Sequence, residues 1–240
     1  MIPEEQKQRM AEAVAQIRLN MAEAARRAGR DPAEVSLCAA CKTRTVEEVR
    51  YSADLPIDLF GENHVQELVE KTDAGAYNGK PGHFIGHLQT NKVNKVVGRA
   101  SLIQSVDSTR LLDKIDAAAA RLGLTQEILI EINIGAEESK SGVGPDDLWP
   151  LLEAAAAREH LRVRGLMAIP PADADDDRTR RFFAEMRELL AAAASRHYDS
   201  AQMDILSMGM SHDYAMAIEE GATIVRVGTA IYGARDYSKK

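Results

Sequence analysis

The chain has 240 residues, 45% of them hydrophobic and 28% charged, with a net charge of −7 and two cysteines. That balance fits a globular fold and excludes a disordered or fibrous chain, and the excess of acid argues against binding to a phosphate backbone, so no nucleic-acid partner is expected. Two cysteines are too few for a disulfide scaffold, no apolar run reaches the ~18 residues that span a bilayer, and the N-terminus MIPEEQKQRM is charged where a secretion signal is apolar, so a cytoplasmic protein with no membrane contact is expected.

In chain order, apolar residues first recur at helical spacing from residue 4 to 28 (Met10, Val14, Ile17, Met21, Ala24, Ala28), and Gly29 followed by Asp31 and Pro32 supplies the stop. This is a leading amphipathic helix. Strand-like runs follow at residues 35–41, 57–61, 83–86, 102–106, 127–134, 163–167, 203–208 and 223–227. The clearest helical segments among them are 110–122, 146–158, 177–195 and 212–220. Eight strands with intervening helices predict an α/β fold, a single (β/α)8 TIM-type barrel with an extra N-terminal helix, and residues 1–240 as one domain. A doubly wound open sheet is the alternative arrangement of the same elements. The acidic cluster at residues 173–177 reads as a helix N-terminus facing water.

Lys42 closes the otherwise uncharged run VSLCAAC. A lysine desolvated at the end of a buried strand has its ammonium form disfavoured, and the free amine is then a nucleophile toward an aldehyde or ketone. Schiff-base chemistry is the first reading; a lysine snorkelling on the barrel rim is the plain alternative. Ser36, Cys38 and Ala40 share the parity of Lys42 and are small, which leaves room above them in a barrel mouth. The C-x-x-C spacing of Cys38 and Cys41 invites a redox role, but residues three apart on a strand point to opposite faces, whereas a thioredoxin-type pair opens a helix.

The last strand places Arg226 among β-branched residues and runs into GTAIYG. A buried guanidinium without an acceptor is costly, so a carboxylate or a ligand atom is expected to meet it. Gly228 lets backbone N–H groups approach an anion and Thr229 adds a hydroxyl at a helix start, the ingredients of a phosphate cup. The seventh strand ends in LSMGMSHD, where Ser207 and Ser211 supply hydroxyls and Ser211 is placed to cap the next helix. Paired loops after the seventh and eighth strands of a barrel favour phosphate binding over two plain turns. Asn63 ends the second strand and either orients a ring substituent or caps the following helix. His83 and His87 straddle a strand and a glycine with no cysteine or carboxylate to complete a set, so no metal is expected. Met167, Met208 and Met210 read as pocket wall.

The motifs CKTRTVEEV, FGENHVQELVEK, HFIGHLQTNKV, SVDS, INIGAEESKSGV, RGLMAIP, LSMGMSHDY and VRVGTAIYGARDY, in this order, resemble the pyridoxal 5′-phosphate homeostasis proteins of the alanine-racemase N-terminal-domain-like superfamily. The resemblance implies a single barrel with the cofactor aldimine-linked to Lys42. It also implies phosphate held around Ser211, Gly228 and Thr229, with Ser207 and Asn63 nearby, and Arg226 facing the pyridine nitrogen. It further implies a carrier without established catalysis, acting in vitamin B6 and amino- and keto-acid balance, with apo-enzymes as transient recipients. No partner is needed to bury the core of a lone barrel, so a monomer is expected. Arg44 stands where a second lysine is common in the family, His64 where tyrosine is, and Gly82 where tryptophan is; Arg44 keeps the charge but cannot form an imine. A cation beside the pyridine nitrogen opposes its protonation and mutes carbanion chemistry, and the eleven residues after Thr229 leave no room for the second domain that brings racemases a tyrosine base. The alternatives are a weak racemase borrowing Tyr232 or Tyr237 as base, and a cofactor-free aldolase whose Lys42 forms an imine with a sugar phosphate.

Overall fold

A computed structural model describes residues 2–137 and 140–234. The leading helix α1 (Glu4–Arg27) buries Met10, Val14, Ile17, Met21, Ala24 and Ala25 along one face and carries acids in its first turn and arginines in its last, the order that suits the helix dipole. Gly29 then turns the chain with φ +70°.

Eight parallel strands follow: β1 (Ser36–Ala40), β2 (Leu59–Glu62), β3 (Gly82–Phe84), β4 (Leu102–Val106), β5 (Gln126–Ile132), β6 (Leu161–Ala168), β7 (Ala201–Ser207) and β8 (Ile224–Val227). They close into a barrel in sequence order, which rules out the open sheet. β1 closes on β8 through the pairs Ser36↔Ile224 to Ala39↔Val227, whereas β7 and β8 share one register pair, Ser207↔Ile224. The strands carry helices α2 (Val46–Ser52), α3 (Val65–Asp73), α4 (Val93–Val96), α5 (Thr109–Leu122), α6 (Leu148–Ala156), α7 (Asp176–Ala194), α8 (Tyr214–Glu219) and α9 (Thr229–Tyr232). Their starts are set locally. Ser108 caps α5, Asp175 caps α7 by accepting from the Arg178 N–H at 2.8 Å, and Thr45 with Glu48 makes a capping box on α2. Asp175 belongs to the acidic cluster predicted to sit at a helix start.

Strand alternation divides the core in two. Outward-facing residues such as Leu37, Phe60, Phe84, Ile103 and Leu206 pack under the helices. Cys38, Leu59, Leu102, Leu129, Met167 and Ile224 fill the barrel itself. The first helix ties the two ends of this cycle together. The Arg30 guanidinium donates to the carbonyls of Ile218 and Ala222 at 2.8 and 2.9 Å, Asn20 donates to Tyr214 Oη at 3.0 Å, and at the other end Gln6 reaches Glu48 at 2.6 Å. α1 thus bridges α2 and α8, across the seam where β8 meets β1.

Candidate functional site

At the C-terminal ends of the strands lies a cavity of about 170 Å3. Ala40, Lys42 and Asn63 line it from the first two strands, and Ser211, Arg226, Gly228 and Thr229 from the last two. Lys42 sits just past β1 rather than inside it, and is half-buried rather than fully buried, because the chain turns at once: Thr43 takes a left-handed φ of +66°. The parity argument holds for Ala40, which is part of the same wall.

Arg226 is 4% exposed, and its bonds within the protein go to a hydroxyl and a carbonyl rather than to a carboxylate. Its Nη1 donates to Ser207 Oγ at 2.6 Å and its Nη2 to the carbonyl of Ala168 at 3.0 Å. Ser207 Oγ donates onward to Gln104 Oε1 at 2.7 Å, and Gln104 Nε2 pairs with His83 Nδ1 at 2.8 Å. Burial pushes His83 down to about 3, so the ring is neutral, accepts at Nδ1 and carries its proton on Nε2. Four side chains on β8, β7, β4 and β3 therefore form one polarised line across the barrel, every bond donated away from Arg226. Burial also lowers the guanidinium below its usual value. The Cys38 thiol, pushed by burial to about 12, holds no charge near neutrality, so the acidic groups that can act on the buried guanidinium are the carboxyls of Glu131 and Asp213.

Ser207 accordingly lies behind Arg226, fully buried, and does not line the cavity. Ser211 does, but not as a helix cap. Asp213 occupies the N-cap position of α8 and accepts from the Met210 N–H, while Ser211 Oγ accepts from the Ala230 N–H at 3.4 Å. That contact joins the loop after β7 to the first turn of α9. Gly228 packs closely there: a Cβ at this position would stand 3.0 Å from the Ala40 carbonyl, a tight contact. Asn63 does not cap α3, whose N-cap is His64. Instead its Oδ1 is buried with no hydrogen-bond partner among the described residues, an orphan acceptor in the cavity wall. Gly86 packs directly on it, since a Cβ there would lie 2.2 Å from the Asn63 carbonyl.

The alanine racemase N-terminal domain family model matches residues 13–236. The pyridoxal phosphate homeostasis protein of Aquifex aeolicus is 42% identical over 89% of this chain and 93% of its own. The chain belongs to the pyridoxal phosphate homeostasis protein family. A crystal structure of an unknown protein from Bifidobacterium adolescentis is 33% identical, with a TM-score of 0.91 over 97% of this chain and 98% of that one. PipY of Synechococcus elongatus, solved with PLP bound, is 31% identical, with a TM-score of 0.80 over 93% of this chain and 100% of that one.

Of the remaining residues singled out in this family member, Arg44 and Met210 line the cavity and the other described ones do not. Tyr232 is buried, its hydroxyl 2.8 Å from Ser52 Oγ, and it lies outside the cavity wall, so it is not placed as a base there. Tyr237, Lys239 and Lys240 lie outside the described residues. Arg44 lines the cavity, donates to the Gly233 carbonyl at 2.7 Å and stacks over the Tyr232 ring. Of the three methionines only Met210 reaches the wall; Met167 fills the barrel and Met208 the outer core. Cys38 faces the barrel interior and Cys41 the helices, both as free, buried thiols. His83 is buried, whereas His87 is exposed and reaches Ser141 Oγ at 3.1 Å; among the described residues no group of three or more His, Cys, Asp or Glu side chains converges as a metal site. Gln104 and the Ala168 carbonyl were not foreseen. Gln104 left one trace, a lone polar residue of inward parity in the strand LIQSV.

Proposed function

We propose that this chain binds pyridoxal 5′-phosphate in the cavity at the ends of β1, β2, β7 and β8, carries it as a Schiff base on Lys42, and serves vitamin B6 homeostasis and amino- and keto-acid balance without a reaction of its own. The observation that carries this is convergence: an amine, a buried guanidinium and an orphan amide oxygen line one cavity whose rim is a glycine, two hydroxyls and the first turn of a helix. The donor set fits the cofactor. Lys42 supplies the nucleophile, Ser211, Gly228 and Thr229 take the phosphate, and Asn63 meets a polar substituent of the ring. When bound, pyridoxal phosphate supplies an aldehyde for the lysine and an electron-withdrawing ring. Arg226 works against the second property, because a permanent cation facing the pyridine nitrogen disfavours a proton there. Ser207 acts through Arg226 by holding its orientation.

The family name of the relatives and the bound cofactor in PipY support the same reading. Two free thiols fit the reducing cytoplasm, with apo-enzymes as recipients of the cofactor and the barrel acting as a monomer. The test is direct. Purified protein should show a visible band that borohydride bleaches, and the cofactor mass should then be fixed on Lys42; a Lys42→Ala variant should show neither. Turnover of L-amino acids that disappears in Lys42→Ala would replace the carrier with a pyridoxal-phosphate enzyme, and colourless protein that traps a sugar phosphate would replace it with an aldolase.

A further inference from the structure

Behind the wall that carries Lys42, β2 and α3 enclose an ion pair that has no part in the cavity. Lys71, 1% exposed, donates to Glu62 Oε1 at 2.7 Å and to Glu67 Oε2 at 3.3 Å. Cys41 Sγ and Tyr77 Oη also approach Glu62 Oε1, at 2.8 and 3.4 Å. Two bonds leave this cluster for the backbone. Lys71 Nζ donates to the Cys41 carbonyl at 2.8 Å, and Glu67 Oε2 accepts from the Thr43 N–H at 2.7 Å. The residues on either side of Lys42 are thus gripped from outside the barrel, one by an ammonium and the other by a carboxylate. The grip coincides with the left-handed φ of +66° at Thr43, a conformation that a β-branched residue adopts only when its surroundings enforce it. A buried ion pair adds little net stability compared with apolar residues of the same shape. What this one does add is a fixed backbone at the reactive lysine.

We propose that Glu62, Glu67 and Lys71 are positioning residues for Lys42. They hold the backbone of residues 41–43 in its kink and so present the amine to the cavity, which sets how fast it condenses with an aldehyde, one water leaving, rather than how tightly the cavity grips a phosphate. The inference rests on Lys42 as the covalent carrier. Its test separates the two steps in apo-protein. The rise of the visible band after mixing with pyridoxal 5′-phosphate reports condensation, and equilibrium dialysis of pyridoxine 5′-phosphate, which lacks the aldehyde, reports the cavity alone. Glu67→Ala, at a partly exposed position, and Lys71→Met should slow condensation roughly 10- to 100-fold, the scale of a reacting group misplaced by a fraction of an ångström to an ångström. Both should leave pyridoxine 5′-phosphate affinity within about twofold, and Lys71→Arg should recover much of the rate. Unchanged rates in Glu67→Ala, or affinity falling in step with rate, would overturn the positioning role. Wild-type protein that never condenses would instead overturn the carrier reading itself.

Discussion

Arg226 and Glu131 show how burial sets charge at single residues. The guanidinium is satisfied by a hydroxyl and a carbonyl, so its charge is not cancelled by a bonded carboxylate and acts on whatever fills the cavity. Glu131, 9% exposed, is raised by burial, with Asp107 adding to it, from 4.5 to about 7. Its folded value lies above its unfolded one, so the stability it contributes is full below about pH 4.5 and is lost as pH climbs through about 7. Glu131→Gln should remove that loss. Between about pH 4.5 and pH 8 urea unfolding should show the variant gaining on wild type by about 3 kcal/mol, and parallel pH profiles would contradict the buried-acid assignment. At the cavity rim, Thr229→Ala should weaken cofactor retention by roughly 1 to 3 kcal/mol, the scale of one charge-assisted hydrogen bond, as read by equilibrium dialysis. Lys42 and Arg226 were legible because a charge inside an apolar run demands a reason. Ser207 turned out to lie behind Arg226, and Ser211 to line the cavity without capping α8, because a hydroxyl accepts many partners and only the folded neighbours select among them.

Among elements, the loops after β2 and β3 are locked together by the absence of a side chain. Gly86→Ala would drive a Cβ to 2.2 Å from the Asn63 carbonyl, backbone against methyl, so one loop must move. The expected result is a loss of about 2 kcal/mol or more of stability together with weakened cofactor binding, measured by denaturant unfolding and dialysis on the same protein. The eight strands were legible from their apolar runs, with ends shifted by a few residues; the strand expected over 35–41 spans Ser36–Ala40. Short helices were harder. α2, α3 and α4 have seven, nine and four residues, too few turns for periodicity to stand out. For α2 a usable signal existed all the same, the Thr45 to Glu48 capping box.

For the whole molecule, we propose that the barrel unfolds as one cooperative unit, because every strand pairs on both sides and α1 with the turn after it binds the last repeat to the first. Arg30→Ala removes two bonds to the carbonyls of Ile218 and Ala222 and should cost roughly 1 to 3 kcal/mol while leaving a single transition by both circular dichroism and tyrosine fluorescence. Two separated transitions would argue against one unit. The count of strands pointed to the barrel but left the open sheet as an alternative until closure of β8 on β1 was seen, and the tie made by Arg30 was not legible at all, since its acceptors are backbone carbonyls that carry no mark in the sequence. One effect of that closure concerns synthesis. Lys42 lies near the start of the chain and Gly228 near the far end, and the two become neighbours only when β8 docks on β1. A nascent polypeptide still on the ribosome holds the lysine early but lacks the loop proposed to take the phosphate until the final strand emerges, so on the proposed function capture of the vitamin must await translation of nearly the entire barrel.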